Sequence, residues 1–136
     1  MTGRPKLRDD GPSGRACPRL DRLETHPLDG GLLLAVARGP RSRMLGLAWL
    51  DDMPEEYGLL IPRCGSVHTF GMRFPIDVIL LDRACSPVRV AEGVPQRRLV
   101  RAARAKAVVE TRAGGARRFL DAGLTGVVEA ARARGG

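Results

Sequence analysis

The residues best able to carry chemistry in this chain are His68, Thr69, Arg73, Asp77 and Glu110. A histidine beside a carboxylate can do general acid–base work, and Asp77 with Glu110 would supply the paired carboxylates of a hydrolase. Thr69, Arg73 and Asp77 fall at odd positions. The even positions beside them, Phe70, Met72, Phe74, Ile76, Val78 and Leu80, are all apolar. Period-two alternation places the two sets on opposite faces of a strand. The polar trio would then line a shallow pocket or form the solvated side of a half-exposed antiparallel sheet. His68 has core-face parity. With Cys64 four residues before it and Met72 four after, it belongs to a soft-metal donor set. Residues four apart on an extended strand are ~13 Å from each other, however, so one ion could not reach both. A histidine satisfied by a backbone carbonyl is the simpler expectation, and neither a metal nor a cofactor is expected.

The motifs of nucleophilic, phosphate-binding and zinc chemistry are absent: there is no GxSxG, P-loop, GxGxxG or HExxH. Cys17, Cys64 and Cys85 form no CxxC pair and cannot all pair with one another, so they read as free thiols of a reducing compartment. Arg63 could lower the pKa of Cys64, but no base adjoins it. The acidic pairs Asp51-Asp52 and Glu55-Glu56 share a proline-containing loop, a setting in which carboxylates are usually just solvated.

Charge is the other lead. The chain of 136 residues carries a net charge of +8. Between Arg97 and Arg118 lie Arg97, Arg98, Arg101, Arg104, Lys106, Arg112, Arg117 and Arg118, against Glu110 alone. Such a cluster could bind a nucleic-acid backbone through counterion release. No aromatic residue interleaves it as a stacking platform, though, so a solvated basic face is the commoner outcome. Nearly all the basic residues are arginine, which together with abundant Ala, Gly and Pro suggests a GC-rich coding sequence.

These residues need a scaffold, and the pattern supplies one. Residues 1–29 are rich in Pro, Gly, Arg and Asp without periodicity and are expected to be a disordered basic tail, with a second tail at 131–136. Leu32 to Ala37 reads as a buried strand. Pro40 to Trp49 follows as a short helix with proline in its first turn. Tyr57 to Ile61, Phe70 to Leu80, Val88 to Ala91 and Ala107 to Thr111 read as strands, and Ala116 to Ala122 as a second short helix. Pro75 suits a bulge or an edge. Leu124 to Ala130 is expected to add a last strand. Leu33, Val36, Leu45, Leu60, Phe70, Met72, Ile76, Val78, Leu80, Val90, Val108 and Phe119 are the expected core. No apolar run approaches the ~20 residues needed to span a bilayer, and the N-terminus lacks the apolar stretch of a secretory signal. A cytoplasmic location without membrane contact is the expectation.

That order of elements resembles the bacterial and archaeal domain of unknown function 192 across roughly residues 30 to 130. The likeness rests on Ala35-Val36-Ala37-Arg38, on RMLGL (Arg43 to Leu47) and on GLLIP. It continues in HTFGMRFPIDVILLD (His68 to Asp82) and VVETRAGG (Val108 to Gly115). Many family members have Trp, and Lys-Asn, where this chain has Gly71 and Arg73-Phe74. The family also usually has a Gly-Asp turn before its last strand, where this chain reads Leu124-Thr125-Gly126-Val127. The resemblance implies a compact, mainly antiparallel β domain with short helices and no known activity.

The reading is therefore a single α+β domain, mainly β, built as a small antiparallel barrel or sandwich with two short helices. Its expected role is a non-catalytic binding or accessory module. A groove near His68, Thr69, Arg73, Asp77 and Glu110 would take a polar or anionic ligand or a partner segment. The alternatives are a hydrolase or metal-dependent enzyme using His68 with Asp77 or Glu110, and nonspecific nucleic-acid binding through Arg97, Arg98, Arg101, Arg104, Arg117 and Arg118.

Overall fold

The computed structural model describes residues 17–135. At its centre is a six-stranded sheet in the order β1-β2-β3-β8-β5-β6. Its strands are β1 (Glu24–Pro27), β2 (Leu33–Val36), β3 (Tyr57–Pro62), β5 (Ile76–Leu81), β6 (Pro87–Val94) and β8 (Ala107–Arg112). A separate ribbon pairs β4 (Ser66–His68) with β7 (Leu99–Arg101). All neighbours run antiparallel except β2 and β3. A parallel pair needs a crossover, and α2 (Pro40–Leu45) with the loop after it provides one.

Every residue of β3 and β5 is buried, because both faces of the sheet are covered. On one face, α3 (Ala116–Asp121) and α4 (Leu124–Arg134) pack Phe119, Leu124 and Val128 against Leu34, Ile79 and Val109. The other face has no long helix. It is closed by α1 (Pro18–Asp21), the loop after α2 and the β4–β7 ribbon, through Leu20, Leu47, Met53, Met72 and Val100. The result is mainly β and sandwich-like, and the sheet does not close into a barrel because β1 and β6 remain its two edges.

Several expectations need correction. The segment from Leu124 to Ala130 is helical: Leu124, Val128 and Ala131 recur at helical spacing and are all buried against the sheet. The helix expected from Pro40 to Trp49 stops at Leu45, where Gly46 (φ 51°, ψ −124°) takes a conformation closed to residues with a Cβ. Phe70 to Leu80 is not one strand, since β5 starts at Ile76. Before it the chain turns, with the Met72 N–H donating to the Thr69 carbonyl and Gly71 at φ +83°. Phe70 is consequently 54% exposed, and Val90, on edge strand β6, is 38% exposed. Leu33 and Leu45 are only half-buried, while the other eight expected core residues are buried. Within the segments expected to be tails, residues 17–29 contribute α1 and β1, and residues 131–134 complete α4. Residues 1–16 and 136 lie outside the described residues.

Candidate functional site

The five residues singled out by type occupy different places, and no hydrogen bond or ion pair joins any two of them among the described residues. Thr69 is buried as a clasp. Its hydroxyl donates to the Pro95 carbonyl at 2.7 Å and accepts the Arg98 N–H at 2.8 Å. His68 is exposed on β4, and its ring lies 5.6 Å from that of Phe70. Arg73 is exposed too, paired with Asp51 and stacked over Trp49 at 5.9 Å.

Asp77 does not face solvent with Arg73. It has the parity of Ile79 and Leu81 and points under α3, where it is 1% exposed. One carboxylate oxygen accepts the Gly93 N–H at 2.8 Å, and the other accepts those of Gly114 and Ala116 at 3.0 Å. These bonds tie β5 to its hairpin partner and to the start of α3, so both oxygens are occupied by backbone.

Glu110 points to the opposite face, between Leu59 and Val78 on the flanking strands. Its cross-strand neighbours are thus apolar. The loop after α2 lies directly on it. The Leu47 N–H bonds the carboxylate, but Oε1 is buried without a partner. A Cβ at position 46 would stand 3.0 Å from that oxygen, so the approach depends on Gly46. Burial pushes the Glu110 carboxyl up to about 7, with the Leu47 bond and the Arg19 charge opposing the shift. Arg19 grips the same loop from outside, donating to the carbonyls of Gly46 and Ala48 at 2.6 Å each.

Beside Arg19 opens a cleft of about 1030 Å³ between α1 and the segment from α2 to Pro54. Arg19, Arg22 and Arg41 line it, Trp49 stands at it 62% exposed, and Asp51 and Asp52 supply its carboxylates. Both acids are partnered: Asp51 with Arg73, and Asp52 with Arg112 at 3.6 Å. The guanidinium groups are not so matched. Arg22 and Arg41 have no ion pair among the described residues, and Arg41 repels Arg19, whose pKa falls mainly through burial and also through that repulsion. Cys17 also lines the cleft, with its thiol pKa raised by burial, which keeps it protonated and unreactive. A smaller cavity of about 450 Å³ also holds arginines. There Arg38 is neutralised by Glu24, and Arg132 is taken up by the Arg83 carbonyl.

The basic segment is divided by the sheet. Arg117 and Arg118 ride on α3 over one face and pair with Glu92 and Glu55. Arg97, Arg98 and Arg101 belong to the ribbon region, whose Val100 joins the core of the other face. Sequence reasoning missed Arg19, Arg22 and Arg41 because the first two fell in an expected tail. The available signal was their spacing of three just after Pro18, which places them about one helical turn apart.

Among the described residues no group of three or more His, Cys, Asp or Glu side chains could hold a metal ion. Among the described residues no helix is long and apolar enough to cross a membrane. The family model of the Uncharacterized ACR, the domain of unknown function 192, matches residues 25–123. No curated protein matches the chain. Two solved structures share its fold. One is a Novosphingobium aromaticivorans protein of unknown function, at 16% identity and a TM-score of 0.56, covering 77% of this chain and 92% of that one. The other is a Sinorhizobium meliloti protein called a "putative transcription regulator", at 18% identity and a TM-score of 0.57, covering 70% of this chain and 82% of that one.

Proposed function

This chain belongs to the domain of unknown function 192 family, and from that premise we propose that it is a non-catalytic binding module whose arginine-lined cleft takes an anionic ligand or an acidic partner segment. The observation that carries this reading is the unmatched positive charge. The cleft's two carboxylates are neutralised by Arg73 and Arg112, which leaves Arg22 and Arg41 facing open space beside a third guanidinium. Guanidinium groups held together without counter-charge favour a carboxylate or phosphate, which they can engage bidentately. Trp49 adds an apolar wall, so a ligand with an acidic group next to an apolar one fits best.

A catalytic reading has less behind it. Asp77 spends both oxygens on backbone N–H groups, and Glu110 lies beneath a loop. A base must reach the proton it abstracts, and His68 stands with Phe70, away from both.

Trp49 is the single tryptophan of the chain, so its fluorescence reports the cleft directly. Titration with a hexaglutamate peptide should give a saturable change in emission that weakens with added salt. Arg41→Ser and Arg22→Ser should each weaken binding, and hexaglutamine should not bind. Unchanged affinity in both variants would remove the reading.

A further inference from the structure

Among the described residues, three of the five large hydrophobic side chains that stand exposed, Trp49, Phe70 and Leu99, gather at one end of the molecule. In the β4–β7 ribbon His68 is registered opposite Leu99, and Ser66 opposite Arg101. Directly opposed residues share a face, and all four are exposed, whereas the alternate pair Val67 and Val100 turns toward the core. The outer face of the ribbon thus runs from Arg101 through Leu99 and His68 to Phe70. Trp49 adjoins its end: its backbone N–H donates to the Gly71 carbonyl at 2.8 Å, and its ring would lie 3.1 Å from a Cβ at that glycine.

The backbone that carries Arg97 and Arg98 is fixed against this face. Thr69 sits between His68 and Phe70. Its backbone and hydroxyl bond the loop that carries Arg97 and Arg98, through Thr69 N–H to the Arg98 carbonyl and Arg98 N–H to the Thr69 hydroxyl, both at 2.8 Å. Neither of the stretches that carry Phe70 and the arginines, 63–76 and 93–109, contains a single Asp or Glu, and Asp51, near Trp49, is paired with Arg73. In sequence the arginines are some thirty positions from Phe70 and some fifty from Trp49; folding brings the loop with Arg97 and Arg98 against Thr69, next to Phe70.

We propose that this face binds single-stranded nucleic acid, with Phe70 and Trp49 stacking on bases and Arg97, Arg98 and Arg101 holding the phosphates. Exposed aromatic rings flanked by cations suit a single strand, because its bases offer free π-faces that a duplex keeps stacked. An apolar protein surface would match the rings but leave the guanidinium groups without counter-charge. The site goes beyond the cleft: it shares Trp49 with it, but Phe70, Arg97, Arg98 and Arg101 do not line the cleft.

The test is anisotropy of fluorescein-labelled dT15 and U15, and of a 15-base-pair duplex, titrated with the full chain at several salt concentrations. Single strands should bind more tightly than the duplex. Three phosphate contacts predict a slope of log K against log salt near −2 (roughly −0.7 per contact). Phe70→Ala should weaken binding roughly ten-fold and Phe70→Tyr should restore it, while Arg117→Ser, on α3 over the opposite face of the sheet, should leave it unchanged. Comparing dT15 with U15 shows which sugar is preferred, and binding of either supports the site. Failure of both to bind at 50 mM salt would overturn the proposal. So would equal duplex affinity with Phe70→Ala harmless, which would mark a mere polyanion effect. Capture of an acidic, aromatic-containing peptide by this face with dT15 and U15 left unbound would assign it to a protein partner instead, and would equally overturn it.

Discussion

Asp77 and Glu110 lie on adjacent central strands, one residue apart in register, yet they point to opposite faces of the sheet and meet opposite chemistry. Asp77 enters a cradle of three backbone N–H groups beneath α3. Glu110 enters the loop-covered face, finds one N–H, and keeps one oxygen unpartnered. A charged acceptor with its donors in place stabilises the elements that supply them, whereas a buried one without them costs free energy in its ionised form. The helix-covered face is therefore locked by its carboxylate. The loop-covered face is held less firmly, and it is also the face with the open cleft, the exposed Trp49 and the ribbon. Binding surfaces are commonly carried by loops set on a rigid scaffold, and the two carboxylates mark which face is scaffold.

The strongest way to break the comparison is Asp77→Ala. Three N–H groups, only that of Ala116 belonging to a buried residue, would lose their charged acceptor, at a cost of about 4 kcal/mol. Urea denaturation of the variant should show that loss, together with early hydrogen exchange at Gly93, Gly114 and Ala116. A loss below about 1 kcal/mol would mean that the cradle contributes little and that the two faces are not so different.

The Glu110 side is sharpened by pH. Its folded pKa of about 7 stands above its ordinary value of 4.5, so the native state holds a proton that the unfolded state releases. The contribution to stability is thus greatest below about 4.5, falls as pH rises to about 7, and stays low above that. The full change is roughly 3 kcal/mol. Glu110→Gln stays neutral, so its stability relative to the parent chain should rise by about that amount between pH 4.5 and pH 8. Denaturant midpoints measured across that range give the difference directly, and a flat difference would contradict the burial argument.

How much of this was legible in the sequence follows from what each signal encodes. The continuous apolar run from Leu32 to Ala37 marked β2, and apolar residues of both parities fill β3 and most of β5, because strands covered on both faces need no polar side. For the same reason the alternation from Phe70 to Leu80 misled: Ile76 to Leu81 is buried on both parities, and the residues before it only imitate a strand's period. Leu124, Val128 and Ala131 carried a helical period inside a segment short enough to pass for a strand. Asp77 was found as a polar residue in an apolar run, but its role was hidden. Its three donors come from positions 93, 114 and 116, which become neighbours only through pairing of β5 with β6 and β8. The cleft was not legible for a similar reason, since it joins α1, in an expected tail, to a loop some thirty residues on.

The smallest expected effect tests whether exposed charge on the loop-covered face is structural at all. Arg73 pairs with Asp51 and covers Trp49, but the two charged side chains are 52% and 86% exposed. An ion pair so open to water contributes at most ~1 kcal/mol, and a cation over an exposed ring adds a comparably small amount. Arg73→Ala should therefore shift the denaturation midpoint only slightly. It should still alter Trp49 emission, because the guanidinium over the ring is gone. It should also free Asp51 to offset the cleft's positive charge, which weakens hexaglutamate binding although Arg73 does not itself line the cleft. A large loss of stability would show that this face is braced by its surface charges and would erase the contrast with the Asp77 side. An unchanged affinity for hexaglutamate would mean instead that Asp51 does not influence the charge the cleft presents.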